Sequence, residues 1–285
     1  MRSIAFTKMH GAGNDYIYID LFNSSLDFDP ADLAQKMSPR HFSVGGDGVV
    51  LIMSSLVADA KMRMFNLDGS EGKMCGNAIR CVAKYLSDHG LVNKDVITVE
   101  TLSGIKTLQL FKKSGLVEKV SVQMGRAVFT PVEIPVLFDG AEMVEADVNV
   151  LNKNYKMTAV SMGNPHAVIF TSGVKDLDLA AIGPSFENNV LFPERVNTEF
   201  AEFLDDNTIL MRVWERGSGE TYACGTGASA TVAAAVKTGR VPAGKEITVR
   251  LLGGDLQITV APDYSVTMTG PAVEVYQGVY LYDEN

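Results

Sequence analysis

The chain has 285 residues, 46% of them hydrophobic and 21% charged, and a net charge of −9. That is enough chain for one large domain or two ordinary ones, and the acidic balance argues against nucleic acid or an anionic membrane surface as a partner. No apolar run approaches the ~20 residues of a membrane helix, no secretory leader is read at the start, and three cysteines make too sparse and odd a set for a disulfide framework, so a reducing, cytoplasmic setting is expected.

In chain order, alternation and β-branched content predict strands at "YIYID" (16–20), "VVLIM" (49–53), "KMRMF" (61–65), "VITVE" (96–100), "KTLQLF" (106–111) and "KVSVQM" (119–124). The second half offers "AVIF" (167–170), "ILMRVW" (209–214), "EITVRLL" (246–252), "LQITVA" (256–261) and "YSVTMTG" (264–270). A helix is predicted over "DPADLAQKMS" (29–38), with Pro30 near its first turn. Each half has one further helix, Asn77 to about Ser87 and Gly227 to about Lys237, with Gly90 and Gly239 at the expected stops. The segment "GTGASATVAAAV" is so rich in small residues that burial on most sides is the natural reading.

The halves resemble each other. Cys75 and Cys224 each precede a glycine, follow a Glu by four residues and open a helix; they lie 149 positions apart. At the same offset "MRMFN" (62–66) falls on "MRVWE" (211–215) and Glu71 on Glu220. At 150, "ITVETLSG" (97–104) falls on "ITVRLLGG" (247–254), and Gly13-Asn14 on Gly163-Asn164. "GRAV" (125–128) falls on "GPAV" (270–273) at 145, a drift that loop insertions produce. Five matches in one order predict two similar α+β domains, 1–130 and 131–285, with terminal strands free to cross between them. Each is expected to curl a mostly antiparallel sheet around its central helix, with an active site in the cleft between the domains.

A thiol at a helix N-terminus meets unpaired N–H groups and about half a positive charge, which lowers its pKa. The same N–H groups hold a carboxylate, and Gly76 and Gly225 admit it to the backbone. Two such thiols on opposite sides of one carbon could remove a proton from one face and deliver another to the opposite face. Cys81, unmatched in the second half, reads as a small buried hydrophobe. No C-x-x-C or H-x-x-x-H spacing suggests zinc, "GGDG" (45–48) reads as a turn, and "NLDGSEG" (66–72) lacks the bidentate Glu of a calcium loop.

The segments "KMHGAGNDY", "FNLDGSEGKMCGNAIRC", "SMGNPHAVIF", "PERVNTEF" and "ERGSGETYACGTGASA" resemble the signature segments of the diaminopimelate epimerases, over essentially the whole chain. The resemblance implies a pyridoxal-phosphate-independent enzyme that interconverts LL- and meso-diaminopimelate in lysine and peptidoglycan precursor synthesis. Cys224 would take the α-proton of the LL isomer and Cys75 would donate from the other face. It further implies that Gly76, Asn77, Gly225 and Thr226 hold the reacting carboxylate, and that Asn14, Asn66, Asn164, Asn197 and Arg216 bind substrate. Glu215 and His166 would assist at the reacting centre. Some family members carry a substrate-contacting Gln where this chain has Gly48. No cofactor and no metal are expected. The expected partner is the small-molecule substrate, without nucleic acid or membrane, and a homodimer is left open. Alternatives are another two-thiol racemase acting on glutamate or proline, a non-catalytic amino-acid-binding protein, and a dithiol redox protein.

Overall fold

A computed structural model describes residues 2–25 and 27–283. The chain forms two compact units, one from the residues up to Val122 together with those from Gly270 on, the other from Gln123 to Thr269.

The first unit opens with β1 (Arg2–Gly11) and β2 (Asn14–Leu21), then α1 (Pro30–Met37), β3 (Gly48–Met53), β4 (Ala60–Asn66) and the short β5 (Glu71–Gly72). Helix α2 (Gly76–Asp88) follows, then β6 (Val96–Thr101), β7 (Gly104–Lys113) and β8 (Leu116–Arg126), which carries the chain into the second unit. Pairing runs β1, β2, β3, β4, β6, β7, β8, with β5 on β4. The β2–β3 and β4–β6 pairs are parallel and the others antiparallel. Helix α1 starts as its sequence predicts: Asp29 caps it by accepting from the Ala31 N–H at 2.9 Å, and Pro30 occupies the first turn. It covers β3 and β4 from one side, and α2 packs against β1, β2, β6 and β7. Strand β3 is therefore one continuous apolar run, "GVVLIM", rather than an alternating one.

The second unit repeats this plan. It contains β9 (Ala146–Val150), β10 (Lys153–Ser161), β11 (Pro165–Phe170), α3 (Leu179–Glu187), β12 (Asn197–Asp205), β13 (Thr208–Glu215) and β14 (Gly219–Glu220). Then come α4 (Gly225–Lys237), β15 (Glu246–Leu251), β16 (Gly254–Val260) and β17 (Ser265–Pro271). Pairing runs β10, β11, β12, β13, β15, β16, β17, with β14 on β13 and with β11–β12 and β13–β15 parallel. Every pairing matches its counterpart in the first unit, sense included. Helix α4 is buried along ten of its thirteen residues, as its small-residue sequence predicts. Gly90 and Gly239 end α2 and α4 in the left-handed region, at φ +69° and +72°.

The last strand, β18 (Val273–Tyr282), pairs antiparallel with β1 from Arg2 to His10. In the second unit β9 takes the same place beside β10. The division by contacts thus differs from the halves 1–130 and 131–285: the C-terminal segment belongs to the first unit, because its backbone hydrogen bonds are made with β1. Among the described residues no helix is long and apolar enough to cross a membrane.

Candidate active site

Each unit places a cysteine at the N-cap of its central helix. Cys75 caps α2 with φ −130° and ψ 123°, and Cys224 caps α4 with φ −119° and ψ 107°. N–H groups of the first turn have no intrahelical acceptor; the Cys224 sulfur accepts from one of them, whereas the Cys75 side chain makes no cap bond.

Around Cys75 the structure assembles Asn14, Gly76 and Asn77. The Cys75 Sγ donates to Asn14 Oδ1 at 3.3 Å. The Asn14 Nδ2 donates to Asp47 Oδ2 at 2.6 Å, which also accepts from the Asp15 N–H at 3.0 Å. Behind them Arg40 bonds both Asp15 oxygens, at 3.0 and 2.6 Å, and Asp47 Oδ1 at 2.8 Å. Lys8 Nζ pairs with Asp15 at 2.6 Å and donates to the Gly45 carbonyl. The arginine and lysine hold Asp15 below the usual carboxylate range against its burial. Burial and the neighbouring Asp15 charge push Asp47 up. The "GGDG" segment is a turn, as read, but its aspartate is wired to the site. At Gly48 a Cβ would lie 2.0 Å from the Phe65 carbonyl oxygen, so this backbone path has no room for a side chain. Asn66 ends β4, and its Nδ2 donates to Ser70 Oγ at 3.0 Å.

Around Cys224 lie Gly225, Thr226, Glu215, His166 and Asn164. Its Sγ accepts from the Gly227 N–H at 3.3 Å and sits 3.4 Å from Thr226 Oγ1. The Glu215 carboxyl lies near enough to act on it electrostatically. His166 is fully buried; Nδ1 lies 2.7 Å from Glu199 Oε1 and Nε2 3.0 Å from Asn164 Oδ1. The amide of Asn197 is used at both ends, donating to the Pro165 carbonyl at 2.8 Å and accepting from the Arg216 N–H at 2.9 Å. Arg216 Nη1 donates to the Glu194 carbonyl at 2.9 Å.

The expectation of an acidified thiol does not hold for Cys224. Burial, reinforced by the Glu215 and Glu199 carboxylates, pushes it well above the usual thiol value, and the Thr226 and Gly227 donors offset only part of this. Desolvation and like charge outweigh the helix end. Burial also pushes Glu215 up, against the hydrogen bond from Thr221. Thiol and carboxyl are thus both biased toward their protonated forms. Cys81 is fully buried and its thiol is pushed up to about 11, which fits its reading as an inert core residue.

Three residues of these networks went unpicked in the sequence. Glu199, fully buried, sits in the polar-looking "NTEFA" of β12, and only its contact with His166 gives it meaning. Asp47 was masked by the glycines of its turn. Arg80, buried in α2, donates from Nη1 to the Gly76 carbonyl at 3.1 Å and from Nε to the Pro271 carbonyl at 3.2 Å. Among the described residues no group of three His, Cys, Asp or Glu side chains could hold a metal ion.

A doubled α+β unit with a cysteine capping each central helix places the chain in the fold of the PhzF-like proteins and proline racemases. A phenazine biosynthesis protein of the PhzF family from Bacillus anthracis superposes with a TM-score of 0.71 at 19% identity, covering 99% of this chain and 100% of that one. A probable proline racemase from Agrobacterium radiobacter superposes at 0.72 with 17% identity, covering 98% and 93%. Closer sequence relatives narrow the class. The diaminopimelate epimerase profile matches residues 6–130 and 158–275. The diaminopimelate epimerase of Desulfovibrio desulfuricans is 52% identical over 98% of both chains. That of Methanococcus maripaludis is 49% identical over 96% of this chain and 98% of its own. The chain belongs to the diaminopimelate epimerase family and is an isomerase.

Proposed function

We propose that this chain interconverts LL-2,6-diaminopimelate and meso-diaminopimelate by two-base proton transfer at one α-carbon, with Cys224 and Cys75 as the two acid–base groups. The observation that carries this is the repeated one: each unit sets a thiol at the N-cap of its central helix, and the two thiols have opposite hydrogen-bond roles. Cys75 donates to Asn14, while Cys224 accepts from Gly227. A two-base exchange needs this asymmetry, one sulfur able to give a proton and the other able to take one.

In the LL-to-meso direction Cys224 passes its proton to Glu215 and, as thiolate, removes the α-proton. Cys75 delivers its proton to the opposite face. Glu215, whose affinity for a proton is raised to match, is suited to this. His166, held between Glu199 and Asn164, contributes polarity beside Cys224. The substrate's reacting carboxylate is held by N–H donors of the helix ends at Gly76, Asn77, Gly225 and Thr226. Such oriented donors stabilise the carbanion's developing charge without reorganising, and comparable donors contribute ~3–4 kcal/mol each in other enzymes. Asn14, Asn66, Asn164, Asn197 and Arg216 complete the substrate-binding set. In turnover the thiols titrate as a coupled pair.

The test is α-proton exchange followed by NMR on LL-diaminopimelate, glutamate and proline side by side. Exchange and inversion with diaminopimelate alone is the expected result. Faster turnover of glutamate or proline would transfer the site to another two-thiol racemase, and binding without exchange would remove the catalytic reading.

A further inference from the structure

Asn14 has an amide whose two ends look alike in shape and differ in chemistry: Oδ1 only accepts and Nδ2 only donates. Which end faces Cys75 therefore determines whether the sulfur there is asked to give a proton or to receive a hydrogen bond. Asp47 decides it. Its Oδ2 accepts from Asn14 Nδ2 at 2.6 Å and from the Asp15 N–H at 3.0 Å, and its Oδ1 accepts from Arg40 Nη2 at 2.8 Å. A carboxylate ringed by donors accepts at every contact, so the Asn14 amino group is turned toward it and the carbonyl oxygen is left toward Cys75 Sγ, 3.3 Å away. A sulfur and an amide oxygen at that separation share a proton, and the sulfur holds it.

The other repeat lacks this device. Thr198 pairs with Trp214 as Val49 pairs with Phe65, so Asn197 stands level with Gly48 and Asp47 falls on the buried Val196. The Asn197 amide serves the Pro165 carbonyl and the Arg216 N–H. Asn164 is left to His166 and Thr226, and Cys224 accepts from the helix end. One carboxylate, present in one repeat and replaced by an aliphatic side chain in the other, separates the two thiols.

We propose that Asp47 is a positioning residue that fixes the Asn14 amide with its oxygen toward Cys75, so that Cys75 rests as the proton donor of the pair. This deepens the two-thiol reading and rests on it for its meaning in turnover. Asp47 itself touches no reacting atom. It is held by Arg40, which also binds Asp15, and Asp15 is paired with Lys8. Tyr18, Arg80 and Cys81 are among the titratable groups coupled electrostatically to Cys75.

The test is a double-mutant cycle on the full chain: wild type, Asp47→Ala, Asn14→Ala and the double variant. The readout is the alkylation rate of Cys75 by iodoacetamide from pH 6 to 10, resolved by peptide mass spectrometry. Removing Asp47 frees the Asn14 amide to turn an N–H toward the sulfur, which favours the thiolate. Alkylation of Cys75 at pH 7 should rise roughly threefold to tenfold, the scale of one hydrogen bond, and its pH profile should move to lower pH. In the Asn14→Ala background, removing Asp47 should change the rate less than about twofold, because non-additivity reports coupling through Asn14. Charges common to all four proteins cancel. An unchanged rate in Asp47→Ala, or an equal increase with and without Asn14, would overturn the proposal, the latter by showing a bare charge effect. If Asp47→Ala fails to fold, Asp47→Val takes its place in the cycle with the same expectations, since an aliphatic side chain fills space and also leaves the Asn14 amino group without its acceptor. Alkylation needs no turnover. A failed cycle with intact epimerisation therefore removes this inference alone, and absent epimerisation with an intact cycle removes the functional reading alone.

Discussion

Cys75 and Cys81 are six positions apart in sequence and belong to different chemistry. Cys75 sits half-buried at the cap and bonds Asn14; Cys81 faces the core of α2 with no exposure. Replacing Cys75 or Cys224 by alanine should lower epimerisation by roughly 10²–10⁴-fold or more, the range of a lost acid–base group, with the circular dichroism spectrum retained. Cys81→Ala should keep activity within a few-fold; a folded but inactive Cys81→Ala beside an active Cys224→Ala would reverse the assignment. Cys81 also predicts a pH effect on stability. Its thiol stays neutral in the folded chain up to about pH 11, whereas in the unfolded chain it ionises near ~8.5. Below that lower value the contribution is fully present; as pH rises toward 11 the unfolded state gains from ionising and the contribution is lost. In urea melts the wild type should therefore lose more stability between pH 8 and 10.5 than Cys81→Ala does, and parallel losses would contradict the assignment. Cys224 shows what sequence cannot supply. The helix-end position was legible, but the carboxylates that oppose its ionisation come from β12 and β13, and only the fold brings them to the sulfur.

Helices α1, α2 and α4 were readable because caps, stops and small-residue runs are local signals. Helix α3 was not, since "LAAIGPSFE" carries Gly183 and Pro184 inside it. The structure shows why that glycine is there. A Cβ at Gly183 would lie 2.2 Å from the Trp214 ring, so α3 lies directly on the indole, whose Nε1 donates to Glu187 at 2.8 Å. Gly183→Ala should cost about 1–3 kcal/mol through overpacking, read as a lower urea midpoint with a shift in tryptophan fluorescence. A neutral substitution would show that α3 is loosely seated. Strand β12 escaped for a related reason: Asn197, Thr198 and Glu199 look like an exposed polar stretch, yet all three are buried. At the end of α4, a Cβ on Gly227 would stand 2.6 Å from Glu199 Oε1. Gly227→Ala should push that carboxylate off His166 and reduce turnover at least tenfold, more than the ~0.5–1 kcal/mol helix gain of alanine over glycine could conceal; normal kinetics in this variant would show that the His166–Glu199 contact does not matter to the reaction.

The repeat governs the molecule as a whole, and it was visible in the sequence because equivalent strands and helix starts kept their spacing. The drift of the offset from 149 to 145 marks where loops differ, and the C-terminal strand β18, whose sequence gives no hint of its partner, returns to pair with β1. Duplication explains why there are two capped thiols; the later divergence of Asp47 and Val196, and of Arg80 and Ser229, explains why they are unlike. The central claim is that these two thiols act on one carbon from opposite faces. On that account the Cys75 thiol exchanges with solvent in deuterated water before turnover, and the proton it would deliver is not the one Cys224 would remove. The decisive measurement is the isotope content of first-turnover meso product formed from protiated LL-diaminopimelate. The two-thiol account predicts deuterium at the inverted carbon from the first turnover, while the unreacted LL pool stays mostly protiated. Early product that retains substantial protium at that carbon would contradict it, since a single base returning the substrate's own proton would then be carrying the reaction.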